Sequence, residues 1–136
     1  MASDSKPTID QIFAMMRKAM GSIPSAIEKA TSVDESLLYE HLRSRAYAMP
    51  AEGALDEETR TLIYLASALA ASSKACIQAM ANKAKMQGIA PEKVLESVKI
   101  ARFALATKVI GDAEPVFEAL QNASEAISPV AKRLGT

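Results

Sequence analysis

Apolar residues recur at helical spacing through most of the chain. In "PTIDQIFAMMRKAMG", Ile9, Ile12, Phe13, Met16 and Met20 fall on one face, and Gly21 stops the run. Pro24 opens a short second helix through "SAIEKA". Asp34 caps a third, "DESLLYEHLRSRAYAM", whose Leu38, Leu42 and Met49 share a face, and the Met49-Pro50 step ends it.

After the turn "PAEGALD", Asp56 caps "EETRTLIYLASALA", with acids in the first turn where the helix dipole favours them. "SSKACIQAMANKAKMQG" follows, with a serine cap in front and Gly88 behind. Pro91 then stands at the first position of a long helix with an apolar stripe of Val94, Val98, Ala101, Leu105 and Val109. Asp112 opens a last helix containing Val116, Phe117 and Leu120, and a tail with Pro129 closes the chain. No segment alternates as a strand between turn signals. The pattern predicts an all-α, single-domain helical bundle of six to seven helices spanning 1–136.

Composition agrees with that reading. The 136 residues are 49% apolar and 24% charged, which is globular, and only 4% aromatic, so the core is built from small aliphatics and methionine. Sixteen basic and sixteen acidic residues cancel, which argues against nucleic acid or a membrane surface as a partner. The charges are unevenly placed. Residues 28–58 carry eight acids against three bases, and residues 74–108 carry seven bases against two acids. The plain reading is solvated helix faces; the sharper one is attraction of the basic half to an anionic ligand or to the acidic face of another subunit. A single cysteine allows no intrachain disulfide, the first ten residues hold no apolar run, and "LIYLASALAASS" is too short to cross a bilayer. A cytoplasmic location is the expectation.

The stretch "LDEETRTLIYLASALAASSKACIQAMANKAKMQGIAPEKVLESVKIARFALA" resembles the alkyl hydroperoxidase D-like / carboxymuconolactone decarboxylase superfamily, over about 55–120, through its order, spacing and punctuation together. The resemblance implies a homo-oligomer, trimer or hexamer, with helices 8–50 packing on the core or on a neighbouring subunit. It also implies a pocket near the start of the cysteine-bearing helix. The redox branch of that family uses a glutamate after the Thr-Arg pair, a Cys-x-x-Cys pair and a histidine four residues after the second cysteine. Carried onto this chain, those positions are Thr61, Ser73, Cys76 and Met80, so one group of four survives, at the nucleophile's position. The decarboxylase branch is similar in placing a histidine at the Met80 position, so that chemistry is affected too.

The replacements have defined consequences. A second thiolate must attack an oxidised sulfur to complete a dithiol relay, and Ser73 cannot. A base at i+4 would accept the thiol proton, and a thioether such as Met80 has none to exchange. Thr61 has no charge with which to hold such a base. Cys76 itself has two readings. As the third residue of its helix, beside Lys74, it sits where positive charge favours an anionic sulfur, and a lone thiol of that kind forms a sulfenic acid or a mixed disulfide. Among Ala, Ile and Met it is otherwise a small core hydrophobe. Ser73 reads as a helix cap, and Met80 as core packing that with Met86 walls a soft apolar pocket.

The weaker candidates are His41, Glu58 and Lys74. His41 is the sole histidine and the one side chain whose ordinary titration falls near neutrality. Glu58 stands one turn before the Thr61 position, as a recruited carboxylate would. No metal site is expected, because His41 and Cys76 lack ligand spacing, and no cofactor is expected, because there is no phosphate-binding glycine loop. Two functions compete: an oligomeric scaffold or small-molecule binder without independent peroxidase turnover, and a single-cysteine peroxidase or thiol-redox enzyme, peroxiredoxin-like, that borrows its reductant. A decarboxylase is the third.

Overall fold

A computed structural model of the chain describes residues 5–123. These residues form seven helices and no strand: α1 (Ile9–Met20), α2 (Ser25–Val33), α3 (Glu35–Ala48), α4 (Glu57–Ala70), α5 (Lys74–Met86), α6 (Pro91–Asp112) and α7 (Glu114–Asn122). The all-α expectation is met. Pro129 lies outside the described residues.

Local chemistry accounts for most boundaries. At α1 the Thr8 hydroxyl accepts from the Gln11 amide at 3.2 Å while the Gln11 side chain accepts from the Thr8 amide at 2.9 Å, a reciprocal capping box. Gly21 ends α1 in the left-handed region at φ 81° and donates to the Arg17 carbonyl. The Asp34 carboxylate accepts from the Ser36 amide at 2.9 Å, and Asp56 from the Thr59 amide at 2.7 Å, as expected. The side-chain hydroxyls of Ser36 and Thr59, and after them these amides, hold both carboxyls below the usual range.

Two boundaries differ from the sequence reading. Pro24 opens α2 from the N-cap position, as expected, but the helix runs past "SAIEKA" to Val33. Asp112 is the last residue of α6, and α7 begins beyond Ala113 with Pro115 in its first turn. A proline tolerates that first turn because its missing N–H has no partner there in any case.

By contact the chain divides into Met1–Ala101 and Arg102–Thr136, the boundary falling inside α6. The first unit holds the core. Ile12, Met16 and Leu38 pack together beneath Ile9, Phe13, Ile27 and Leu42, joining α1 to α2 and α3. Leu65, Ala79 and Met80 form a second cluster where α4 meets α5, with Tyr64, Leu69 and Val94 against it. Met20 touches both clusters and links them. Ala68 of α4 and Ala79 and Ala84 of α5 are buried, and such small residues let paired helices approach closely. Tyr39 ties down the leader: its hydroxyl donates to the Pro7 carbonyl at 2.9 Å, and the Lys6 ammonium lies 3.6 Å above its ring.

The expected α6 stripe is covered only at its start. Val94 is half-buried and Ala101 buried, whereas Val98, Leu105 and Val109 are exposed. Leu95 and Ile100 are exposed in the first unit; Phe103, Ile110, Val116, Phe117 and Leu120 are exposed in the second. Isolated exposed apolar side chains are ordinary, but a helix apolar on several faces has surface left to cover.

Candidate functional site

α4 and α5 are joined by a turn that sets the position of the cysteine. The Ser73 amide donates to the Ala68 carbonyl at 2.9 Å and the Ser72 amide to the Leu69 carbonyl at 3.2 Å, a Schellman closure. Its left-handed residue is Ser72, at φ 57°, where glycine is the usual occupant. α5 closes the same way with a glycine: Gly88 at φ 65° donates to Lys85, and Ile89 to Ala84. The first closure also explains a correction. Ser73 occupies the N-cap position of α5, but its hydroxyl makes no capping bond. Its φ, ψ pair of −87°, 88° matches none of the residues whose side chains do cap: Thr8 at −72°, 159°, Asp34 at −152°, 109° and Asp56 at −72°, 167°. The turn fixes Ser73 before the helix begins, and the hydroxyl misses the exposed amides.

Cys76 is the third residue of α5 and half-buried. Its sulfur lies 3.3 Å from the Tyr64 hydroxyl on α4, either atom able to donate. Burial, and after it the Cys76 contact, push the Tyr64 phenol up to about 12, against an opposing pull from the Arg45 charge. Tyr64 is therefore a neutral phenol at physiological pH.

The sulfur is not sealed among aliphatic side chains. It lines a cavity of about 240 Å³ bounded by α1, the start of α2, α3, α4 and α5. Ile12, Met16, Met20, Ile27, Leu42 and Met80 supply apolar walls, and Tyr64, His41 and Arg45 supply polar groups. His41 and Arg45 are one turn apart on α3 and both exposed, so they stand at the mouth, while Ile12 and Met80 lie buried within. A separate hollow of about 570 Å³ lies between the end of α3, the 49–55 turn and α4, and Tyr64 lines that one too.

The other candidates are dispersed. Thr61 is buried and structural: its hydroxyl is 3.0 Å from the Glu57 carbonyl and 2.8 Å from the Gln87 side-chain oxygen position. The Thr61 hydroxyl is the donor toward both oxygens, and its one hydrogen is shared between them. Thr61 thus ties α4 to the end of α5. Glu58 pairs with Lys93 of α6 at 2.9 Å and takes no part in the Cys76 cavity. Lys74 is exposed at the start of α5, and it too is absent from the lining, as is Ser73. Met86 is exposed and walls no part of this cavity, contrary to expectation; its sulfur lies near Gly21 instead. Of the sequence candidates, the cavity brings together Cys76, Met80 and His41.

Sequence reasoning missed Tyr64 and Arg45. Tyr64 is twelve positions from Cys76, and only the pairing of α4 with α5 makes them neighbours. Arg45 carried a usable signal, since it follows His41 by four residues on one helix. Among the described residues no group of three His, Cys, Asp or Glu side chains is placed to hold a metal ion. No helix among them is long and apolar enough to cross a membrane.

Fold and site together define an all-helical protein with a single thiol at the side of an apolar pocket. The chain belongs to the carboxymuconolactone decarboxylase family, whose model matches residues 37–119, more than half of its length. A search of the curated proteins finds no match.

Proposed function

We propose that this family member binds a small, largely apolar molecule in the Cys76 cavity and does not turn over hydroperoxide by itself. The observation that carries the reading is the sulfur's surroundings. Its one hydrogen-bonding side chain among the described residues is Tyr64, a neutral phenol, and the chain has no second cysteine. The α5 position one turn on is Met80, which takes no proton.

A second reading is favoured by the cavity's reach to the sulfur. In it, the Cys76 thiol is oxidised by a hydroperoxide to a sulfenic acid, and the hydroperoxide is reduced to an alcohol. One external thiol then forms a mixed disulfide and releases water, and a second external thiol frees Cys76 as its own disulfide forms. Cumene hydroperoxide with dithiothreitol separates the two readings. Consumption no faster than by the Cys76→Ala variant is expected; faster, Cys76-dependent consumption overturns the first reading in favour of the second.

The chain is also proposed to act as a homo-oligomer. Leu95, Val98 and Ile100 on α6 are exposed, as are the large apolar residues of 102–120, and the opposite charge of 28–58 and 74–108 suits contact between copies. Sedimentation of the full chain is expected to give a mass above that of one 14.5 kDa subunit. A monomer at micromolar concentration would refute it.

A further inference from the structure

Arg45 differs from the arginines around it. Arg43 is neutralised by Glu40 at 2.7 Å, and Arg60 is held by the Pro50 carbonyl at 2.7 Å with Glu57 nearby. Among the described residues Arg45 has neither an ion pair nor a hydrogen-bonded side chain, although α3 and its approaches are rich in acids. Its charge is nevertheless turned toward the cavity, since it lines the wall and acts on the Tyr64 phenol. His41, one turn earlier, adds an N–H donor on the same side. A guanidinium presents paired donors that match a carboxylate.

Behind these groups the walls are apolar and partly flexible. Met16, Met20 and Met80 come from α1 and α5, and methionine adapts to an irregular chain. A volume of about 240 Å³ is slightly below the ~300–1,000 Å³ of drug-sized pockets, which sets the occupant at fragment size. The polarity has a direction: cationic at the solvent edge, apolar at the buried end.

We propose that the cavity takes a medium-chain carboxylate, its tail among the methionines and Ile12 and its carboxylate held at the mouth by Arg45 with His41. This deepens the binding reading above and rests on it. The bound tail covers the Cys76 sulfur, so occupancy is legible as protection of that thiol.

The test is the rate of Cys76 alkylation by iodoacetamide, followed by mass spectrometry on the full chain, with octanoate and its neutral counterpart octanol as probes. Octanoate is expected to slow alkylation saturably and at concentrations at least tenfold lower than octanol. Arg45→Met should bring octanoate down to the level of octanol and leave octanol protection unchanged, with circular dichroism confirming that this exposed substitution leaves the helices intact. Equal protection by both probes in the unmodified chain would overturn the carboxylate assignment and leave the apolar pocket standing. Protection by neither would overturn both. Undiminished preference for octanoate in Arg45→Met would remove Arg45 as the reader and the proposal with it.

Discussion

The Tyr64 hydroxyl stands 3.3 Å from the Cys76 sulfur, each the other's one hydrogen-bonding side chain among the described residues. The contact and the surrounding burial favour the neutral phenol, and Tyr64 is expected to titrate at about 12. The difference in 295 nm absorbance between the unmodified chain and Tyr64→Phe isolates this one of three tyrosines. Cys76→Ala should lower the midpoint but not return it to 10.0, because burial is the larger cause. The folded pKa is raised, so between 10.0 and about 12 the native state keeps a proton that the unfolded chain has lost. Stability from this group is whole below that window and falls as pH rises through it. A denaturation midpoint that rises between pH 10 and 12 only when Tyr64 is present would contradict the assignment.

The two helix closures at Ser72 and Gly88 make a matched pair. Both residues have positive φ, 57° and 65°, but only Ser72 carries a side chain there. Ser72→Gly relieves the left-handed strain of about 1 kcal/mol, partly offset by the greater freedom of glycine in the unfolded chain. A net gain of up to about 1 kcal/mol is expected. Gly88→Ala should lose about 1 kcal/mol for backbone reasons alone, since nothing lies within 4 Å of the added methyl. Thermal unfolding of the two variants checks both signs.

Arg60 closes the turn between α3 and α4 by donating to the Pro50 carbonyl at 2.7 Å, and its guanidinium passes directly over Gly53. A methyl on Gly53 would stand 1.9 Å from Nη2, so Gly53→Ala must displace the guanidinium from the carbonyl. A loss of about 1–2 kcal/mol follows from the broken charged hydrogen bond. In an Arg60→Ala background the same substitution has nothing to displace, and its effect should shrink to a few tenths of a kcal/mol. Additive losses in the double variant would show that Gly53 acts by another route.

Thr61 gives a test of what the family position has become. Thr61→Val removes the tie from α4 to the Glu57 carbonyl and Gln87, with an expected loss of about 1 kcal/mol. Thr61→Glu puts a carboxylate where only 1% of the residue is exposed, and a loss of about 3 kcal/mol or more is expected in urea unfolding at neutral pH. A glutamate tolerated at no cost would mean that the site has room and a partner for a carboxylate.

These tests follow the division between what the sequence disclosed and what it withheld. Punctuation was legible because it is local: Gly21, Asp34, Asp56, Gly88 and Pro91 act on backbone groups within a few residues of themselves. The Thr8–Gln11 box is just as local, but the sequence reading missed it. Ser73 misled because a cap needs the right backbone φ and ψ together as well as the right oxygen, and the preceding closure fixes that pair. Tyr64 and Arg45 were beyond local reasoning, since their approach to Cys76 depends on how α3, α4 and α5 pack. The α6 stripe is covered only at Val94 and Ala101; periodicity places apolar residues on one face without saying that anything packs against it.

Restoring the missing groups tests the electron and proton argument directly. Ser73 precedes α5 and Cys76 is its third residue, so Ser73→Cys places two sulfurs at the opening of one helix with the spacing of a redox pair. Diamide treatment should convert this variant to an intramolecular disulfide with no free thiol left, whereas the unmodified chain can only join a second molecule or an external thiol. Peroxide consumption with dithiothreitol should nevertheless stay slow in Ser73→Cys, because the nearest hydrogen-bonding group, Tyr64, holds its proton to about pH 12 and accepts none. Adding Met80→His puts an imidazole on the wall of the same cavity, one turn from the sulfur. A positioned base contributes roughly 10²–10⁴-fold, and an increase of at least tenfold over Ser73→Cys alone is expected. If the double variant is no faster, a proton acceptor is not what this site lacks, and the inactivity has to be sought in access to the sulfur.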